Sequence, residues 1–362
     1  MKEVKPMKIA LIIPTNLKFA PYVQYYTKIL DEKQIEYKIV LWDKRNIKEE
    51  ADSVFHFHTS DFDRKRTFLG YLLFDKHCKK YLGKEQFDKI IFFTMAPLFF
   101  MGQRYLKRYK RKYILDIRDD SPFRRRFEKR FDEICRNAER VIVSSPRFAE
   151  WVQRETTICH NVDMEMLMKY SDIDPVTGFV FPIVITFAGM MIEQNINIQV
   201  LEQLGNNPDF YFRFVGRPNR GMDEVEKYAK DNKIENVSFE GEYKKEDIID
   251  IYRNGSTLIN IIRENTTINK NALPNKLYDA ILAGIPLVVF DHNEAIASYV
   301  QQFNLGIVIR QDQMNDLETA IKNGIKGFDY TQYQQGRQSF LSSVTNDMSV
   351  FKDVVHRFVN NA

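Results

Sequence analysis

The sequence predicts an α/β protein of two Rossmann-like domains, each a parallel sheet flanked by helices. Three observations carry that expectation. At 362 residues the chain exceeds one ordinary α/β core and suits two domains. Short apolar runs alternate with helical patterns from one end to the other, the signature of βα units. A turn-rich stretch holding Pro175, Gly178 and Pro182 splits that alternation into two series. Domains are therefore expected at 1–172 and 180–340, with 341–362 forming a C-terminal helix that packs back on the first.

In the first series, apolar runs at 8–13, 37–42, 53–58, 89–94, 112–117 and 140–144 predict strands. Helical periodicity predicts helices near 21–33, 64–82, 97–108, 122–137 and 146–154. In the second series, strands are expected at 183–188, 210–215, 237–240, 256–262, 287–290 and 306–309, with helices between them. Past these, Val350, Val354, Val355 and Phe358 are spaced to share one apolar face of the last helix.

Composition bounds the function. Apolar residues make up 44% and charged residues 28%, as in a soluble globular protein. The apolar run at 9–14 is too short for a signal peptide or a membrane span, so a cytoplasmic location is expected. Cys78, Cys135 and Cys159 lack metal-binding spacing and are read as reduced core thiols. Residues 1–170 hold roughly 35 Lys and Arg against about 24 Asp and Glu, whereas the remainder hold roughly 18 against about 25. A basic first half predicts an anionic partner for that half. No G-x-G-x-x-G or Walker pattern occurs, which argues against NAD enzymes and P-loop NTPases.

The most informative segment runs from Ile261-Ile262-Arg263 through Leu273-Pro274-Asn275-Lys276-Leu277-Tyr278-Asp279 to Ala283-Gly284-Ile285-Pro286. It reads as strand, loop and short helix, with Gly284 as the left-handed stop and Pro286 preventing continuation. The helix N-terminus and Lys276 together make an anion site. Asp279, one turn on, can accept hydrogen bonds from the hydroxyls of a ribose.

These residues resemble the retaining glycosyltransferases of the GT-B fold that carry an E-x7-E signature and build bacterial surface polysaccharides. The resemblance rests on the P-x-K stretch ending in A-G-x-P-V-V, on Phe187-Ala188-Gly189, on Phe214-Val215-Gly216-Arg217 and on Val237-Ser238-Phe239-Glu240-Gly241. In the first half, Asp116-Ile117-Arg118-Asp119 and His160-Asn161-Val162-Asp163 resemble further family segments. The resemblance implies two domains facing across a cleft, with a nucleotide-sugar donor on the second and an acceptor glycan on the first. It aligns Asp279 with the ribose-binding glutamate and Asn271 with the first glutamate of the signature. Met190 and Gln194 stand where the family carries its diphosphate-gripping arginine and lysine.

The candidate site therefore comprises Gly189, Arg217, Asn271, Asn275, Lys276 and Asp279 for the donor. Arg217, Arg263 and Lys276 are expected on the diphosphate, and Asp119 at the acceptor. Donor sugar transfer to an acceptor hydroxyl is the predicted reaction, retaining by resemblance, with no cofactor and no metal. Two alternatives use the same fold: a sugar-nucleotide epimerase, and a non-catalytic nucleotide-sugar-binding protein. Nucleic-acid binding is not expected, because the basic and aromatic residues at 104–113 come with no recognised module. The run at 104–112, Arg124-Arg125-Arg126, Arg64-Lys65-Arg66 and the apolar stretch 68–74 instead predict docking on an anionic membrane, where a lipid-linked acceptor would wait.

Overall fold

The computed structural model describes residues 7–59 and 64–360. It divides into two compact units. The first comprises the chain up to His160 together with the residues from Asn346 onward, and the second runs from Asn161 to Thr345.

The first unit is built on a parallel sheet in the order β3-β2-β1-β4-β5-β6-β7. Its strands are β1 (Lys8–Ile13), β2 (Glu36–Asp43), β3 (Ser53–His56), β4 (Lys89–Phe93), β5 (Tyr113–Ile117), β6 (Arg140–Val143) and β7 (Thr157–Ile158). The second unit repeats the plan in the order β10-β9-β8-β11-β12-β13. Here the strands are β8 (Ile183–Ala188), β9 (Phe210–Val215), β10 (Val237–Glu240), β11 (Leu258–Asn260), β12 (Leu287–Phe290) and β13 (Gly306–Ile309). The central strands are buried along most of their length because helices cover both faces, and their near-continuous Ile, Leu, Val and Phe runs follow from that. In both sheets the order reverses beside the first strand of the unit, between β1 and β4 and between β8 and β11. Open α/β sheets bind ligands at the carboxyl ends of strands flanking such a reversal.

Several expectations need correction. The helix expected at 97–108 is two, Ala96–Phe100 and Gln103–Arg108, because Met101 turns extended and Gly102 restarts the chain. That at 122–137 breaks at Phe127, whose backbone leaves the helical region between Pro122–Arg126 and Glu128–Asn137. The strand expected at 256–262 pairs only over Leu258–Asn260, and its continuation becomes a loop of the candidate site. On the last helix, Tyr330–Asn360, Val350 is 44% exposed, and the buried face is Phe351, Val354, Val355 and Phe358. Phe351 meets the ring of Tyr26, and Lys89 donates to the carbonyl of Phe358 at 2.6 Å, so this stretch completes the core of the first unit.

Candidate functional site

The helix Asn275–Ala283 organises the second unit's site. Pro274 caps its start in an extended conformation and makes no side-chain cap hydrogen bond. Its far end is closed three ways. Gly284 turns left-handed at φ 71°, where a Cβ would lie 2.7 Å from Pro175 Cα. Arg337, fully buried, donates to the carbonyls of Ile281 at 2.6 Å and Leu282 at 3.3 Å. Arg253 donates to that of Ala283 at 3.0 Å. Two guanidinium groups thus sit at the negative end of the helix, which leaves the positive end open for an anion.

That positive end meets the turn after β8. Gly189 has φ 126°, and a Cβ on Gly216 would come within 2.2 Å of the Gly189 carbonyl, so two strand ends close on each other through glycines. Lys276 Cε lies 3.5 Å from where a Gly189 Cβ would stand, and the Tyr243 hydroxyl 4.0 Å from it. Lys276 Nζ rests 3.4 Å from the centroid of the Phe187 ring.

Lys276 and Asp279 retain some accessible surface, yet protein surrounds both charges closely. Burial lowers the Lys276 ammonium to about 7, helped by the charge of Arg263 and opposed by Glu193 and Asp279. Burial raises the Asp279 carboxyl to about 7; Asp163 adds to the rise, while Lys245 and Lys276 oppose it. Tyr243 is pushed up to about 12, first by burial and then by Asp279. The buried Tyr252 hydroxyl, on which Asp279 also acts, has no hydrogen-bond partner among the described residues. An ammonium and a carboxylate that both titrate near neutrality form a poised pair, and such pairs gather at functional sites.

The loop after β11 is held from beneath by Glu193. Its carboxylate accepts from the Glu264 amide at 3.0 Å and from Asn269 Nδ2 at 2.8 Å, and it stands 3.4 Å from Arg263 Nη2. His292 Nε2 lies 2.7 Å from the Arg263 carbonyl. Asn161 donates to the Leu273 carbonyl at 3.5 Å, which ties the segment ahead of the helix.

Gly189, Lys276 and Asp279 therefore come together, with Arg263 acting on Lys276 from the neighbouring loop. Arg217 is exposed beside Gly216 and makes no ion pair or hydrogen bond among the described residues. Asn275 is exposed at the first helical position. Asn271 ends the short helix Thr267–Asn271 and donates to the Thr267 carbonyl at 2.8 Å. Asp119 belongs to the first unit, exposed after β5. Its neighbours Asp116 and Arg118 form a buried pair at 2.7 Å. Among the described residues, no group of three or more His, Cys, Asp or Glu could hold a metal ion.

Sequence reasoning missed Glu193, Tyr243 and Asn269. Thr266 followed three residues later by Asn269 was a readable capping signal, because Asn269 donates its amide to the Thr266 hydroxyl. Glu193 carried no signal beyond its place just after β8.

Chains of known structure share this architecture. A sucrose-phosphate synthase from Thermosynechococcus elongatus superposes with a TM-score of 0.67 at 12% identity, over 98% of this chain and 100% of that one. A glycosyltransferase from Rickettsia africae gives 0.65 at 12% identity, over 99% and 100%. A UDP-forming α,α-trehalose-phosphate synthase from Burkholderia vietnamiensis gives 0.65 at 11%, over 98% of each. The fold is GT-B. Residues 182–326 match the family described as Glycosyl transferases group 1. That span contains Gly189, Arg217, Arg263, Asn271, Asn275, Lys276 and Asp279. No curated protein matches the sequence. Family match and fold together support a glycosyltransferase, and in a GT-B protein the open N-terminus of Asn275–Ala283 can stabilise a departing anion.

Proposed function

We propose that the chain transfers a sugar from a nucleoside diphosphate sugar to an acceptor hydroxyl, with the donor held by the second unit. The observation that carries this reading is the first turn of Asn275–Ala283, which sets Lys276 over Gly189 with Asp279 one turn behind. Asp279 takes the ribose hydroxyls. Lys276, Arg263, Arg217 and the open helix amides meet the diphosphate, whose charge grows as the sugar departs. The UDP-forming neighbour supports a nucleoside diphosphate as the leaving group.

The finer features rest on the resemblance to the E-x7-E enzymes. They are retention of anomeric configuration, action without a metal, and a lipid-linked acceptor glycan in bacterial surface-polysaccharide synthesis. In such a reaction a diphosphate oxygen can deprotonate the acceptor, with Asp119 positioning it. A cytoplasmic setting agrees with three free, buried cysteines.

A thermal-shift series with UDP, GDP, dTDP and CMP tests the donor site, since a ligand at about 100 times its Kd adds about 2.7 kcal/mol to stability. Transfer is then assayed with the matching sugar nucleotide. No shift with any nucleotide would remove the donor site. Conversion of donor without acceptor would mark an epimerase, and binding without turnover a nucleotide-sugar-binding protein.

A further inference from the structure

We infer that Glu193 is a positioning residue of the anion site, whose carboxylate sets Arg263 and Lys276 to receive a diphosphate. This rests on the reading of Lys276 and Asp279 as the donor site, and it adds a residue that acts through others. Glu193 stands at the N-cap of the helix Gln194–Leu204, where a side chain ordinarily turns back to the first amides. It makes no such bond. Its side chain crosses instead to the loop after β11. Oε2 accepts from the Glu264 amide at 3.0 Å, while Oε1 accepts from Asn269 Nδ2 at 2.8 Å and lies 3.4 Å from Arg263 Nη2. Asn269 is buried and also donates to the Glu264 carbonyl at 2.9 Å, so the loop closes on itself around the acid. Behind it, the buried Asn197 donates to the Glu193 carbonyl at 2.9 Å and accepts from the buried Asn260 at 2.9 Å, and Asn260 accepts from the Ile262 amide at 2.8 Å. One acid thus joins the turn after β8, the loop after β11 and the helix Thr267–Asn271.

The charge of that acid separates positioning from mere support. A carboxylate beside an anion site weakens the ligand's binding by its own field, a cost that a neutral structural residue does not impose. Here the charge acts on the two cations. Arg263 has its only ion pair among the described residues with Glu193, and at 3.4 Å the contact orients the guanidinium while leaving its other N–H groups to meet an anion. Beyond burial, which drives the proton off Lys276, Arg263 adds to the loss and Glu193 offsets it, more than Asp279 does. Glu193 therefore holds one cation in place and helps keep the other charged, although the two repel.

Calorimetry on the full chain tests this, with whichever of UDP, GDP and dTDP binds and with the matching nucleoside. The ratio of the two affinities isolates the diphosphate. Glu193→Gln is expected to lower that ratio about twofold at pH 6 and about tenfold at pH 8, because Lys276 then loses its charge at lower pH. Nucleoside affinity stays at the wild-type value, since Glu193 is not among the charges that act on Asp279. Glu193→Asp keeps the charge and restores the pH profile. Glu193→Ala, with the same expectation as Glu193→Gln, serves if the latter does not fold by circular dichroism. An unchanged ratio overturns the inference, and so does one that rises because a repelling charge has gone. A matching loss of nucleoside affinity in a folded variant, or failure of both variants to fold, would make Glu193 a support of the fold and overturn it too. If none of the three diphosphates binds the wild-type chain, the donor site falls and the positioning role with it, whereas wild-type binding with an unchanged ratio in Glu193→Gln removes the positioning role alone.

Discussion

Both sheets carry an acid and a base near the carboxyl ends of their strands, and the two pairs are treated in opposite ways. In the first unit Asp116 and Arg118 are buried together. Tyr26 donates to Asp116 at 2.7 Å, and Arg118 also reaches the Cys159 carbonyl at 3.0 Å and stacks 4.6 Å from the Tyr22 centroid. The two charges there face each other as an ion pair at 2.7 Å. In the second unit Lys276 and Asp279 lie one turn apart, and surrounding protein drives both toward neutrality without supplying full partners. A paired acid and base hold a fold, whereas a pair pushed toward neutrality without partners marks a candidate functional site.

The comparison breaks first on stability. Asp116→Ala strands a buried guanidinium and is expected to cost about 3 to 5 kcal/mol, read by urea denaturation. Asp279→Ala removes a carboxyl that burial already disfavours and should leave stability at neutral pH unchanged or raise it. Equal losses at the two positions would erase the distinction.

Activity should show the reverse. Lys276→Ala and Asp279→Ala are each expected to lower transfer by about 100-fold or more, about 2.7 kcal/mol of transition-state stabilisation. Asp279→Ala weakens nucleoside and nucleotide alike, and Lys276→Ala weakens only phosphate-bearing ligands, as calorimetry would report. Wild-type transfer by Asp279→Ala would place the donor elsewhere.

A smaller effect is the pH dependence. Lys276 carries its charge below about 7 and loses it above, so the affinity for nucleoside diphosphate relative to that for the free nucleoside should fall as pH rises from 6 to 8, by up to about tenfold per unit. Asp279 gains its charge over the same window, so binding of the free nucleoside should strengthen with rising pH. Parallel trends for the two ligands would contradict the assignment. Smallest of all, Asn271→Ala should raise the donor KM or lower kcat a few-fold while free nucleotide binds unchanged.

Much of this was legible in the residues. Strands such as Ile183–Ala188 and Leu287–Phe290 announce themselves because burial on both faces requires unbroken apolar runs. The helix Asn275–Ala283 was readable from Pro274 and Gly284, whose backbone preferences act locally. The two-residue strand Thr157–Ile158 was not, because two residues carry no periodicity. Nor was Glu193, whose partners Arg263, Glu264 and Asn269 lie about seventy residues away. Long-range pairing leaves no mark on local spacing. The last helix was expected from its period, yet its buried face is carried by Phe351 rather than Val350, since docking chooses among neighbouring stripes.

The helix Tyr330–Asn360 also bears on the order in which the molecule can be finished as it is made. Arg337, which closes the carboxyl end of the helix Asn275–Ala283, is translated more than fifty residues after that helix. Phe351 and Phe358, which fill the core of the first unit, come later still, after all seven strands they complete have emerged. Neither unit can reach its final packing until this helix leaves the ribosome. Both must persist as nascent, partly open sheets in the meantime, the stage at which exposed apolar surface most readily engages chaperones.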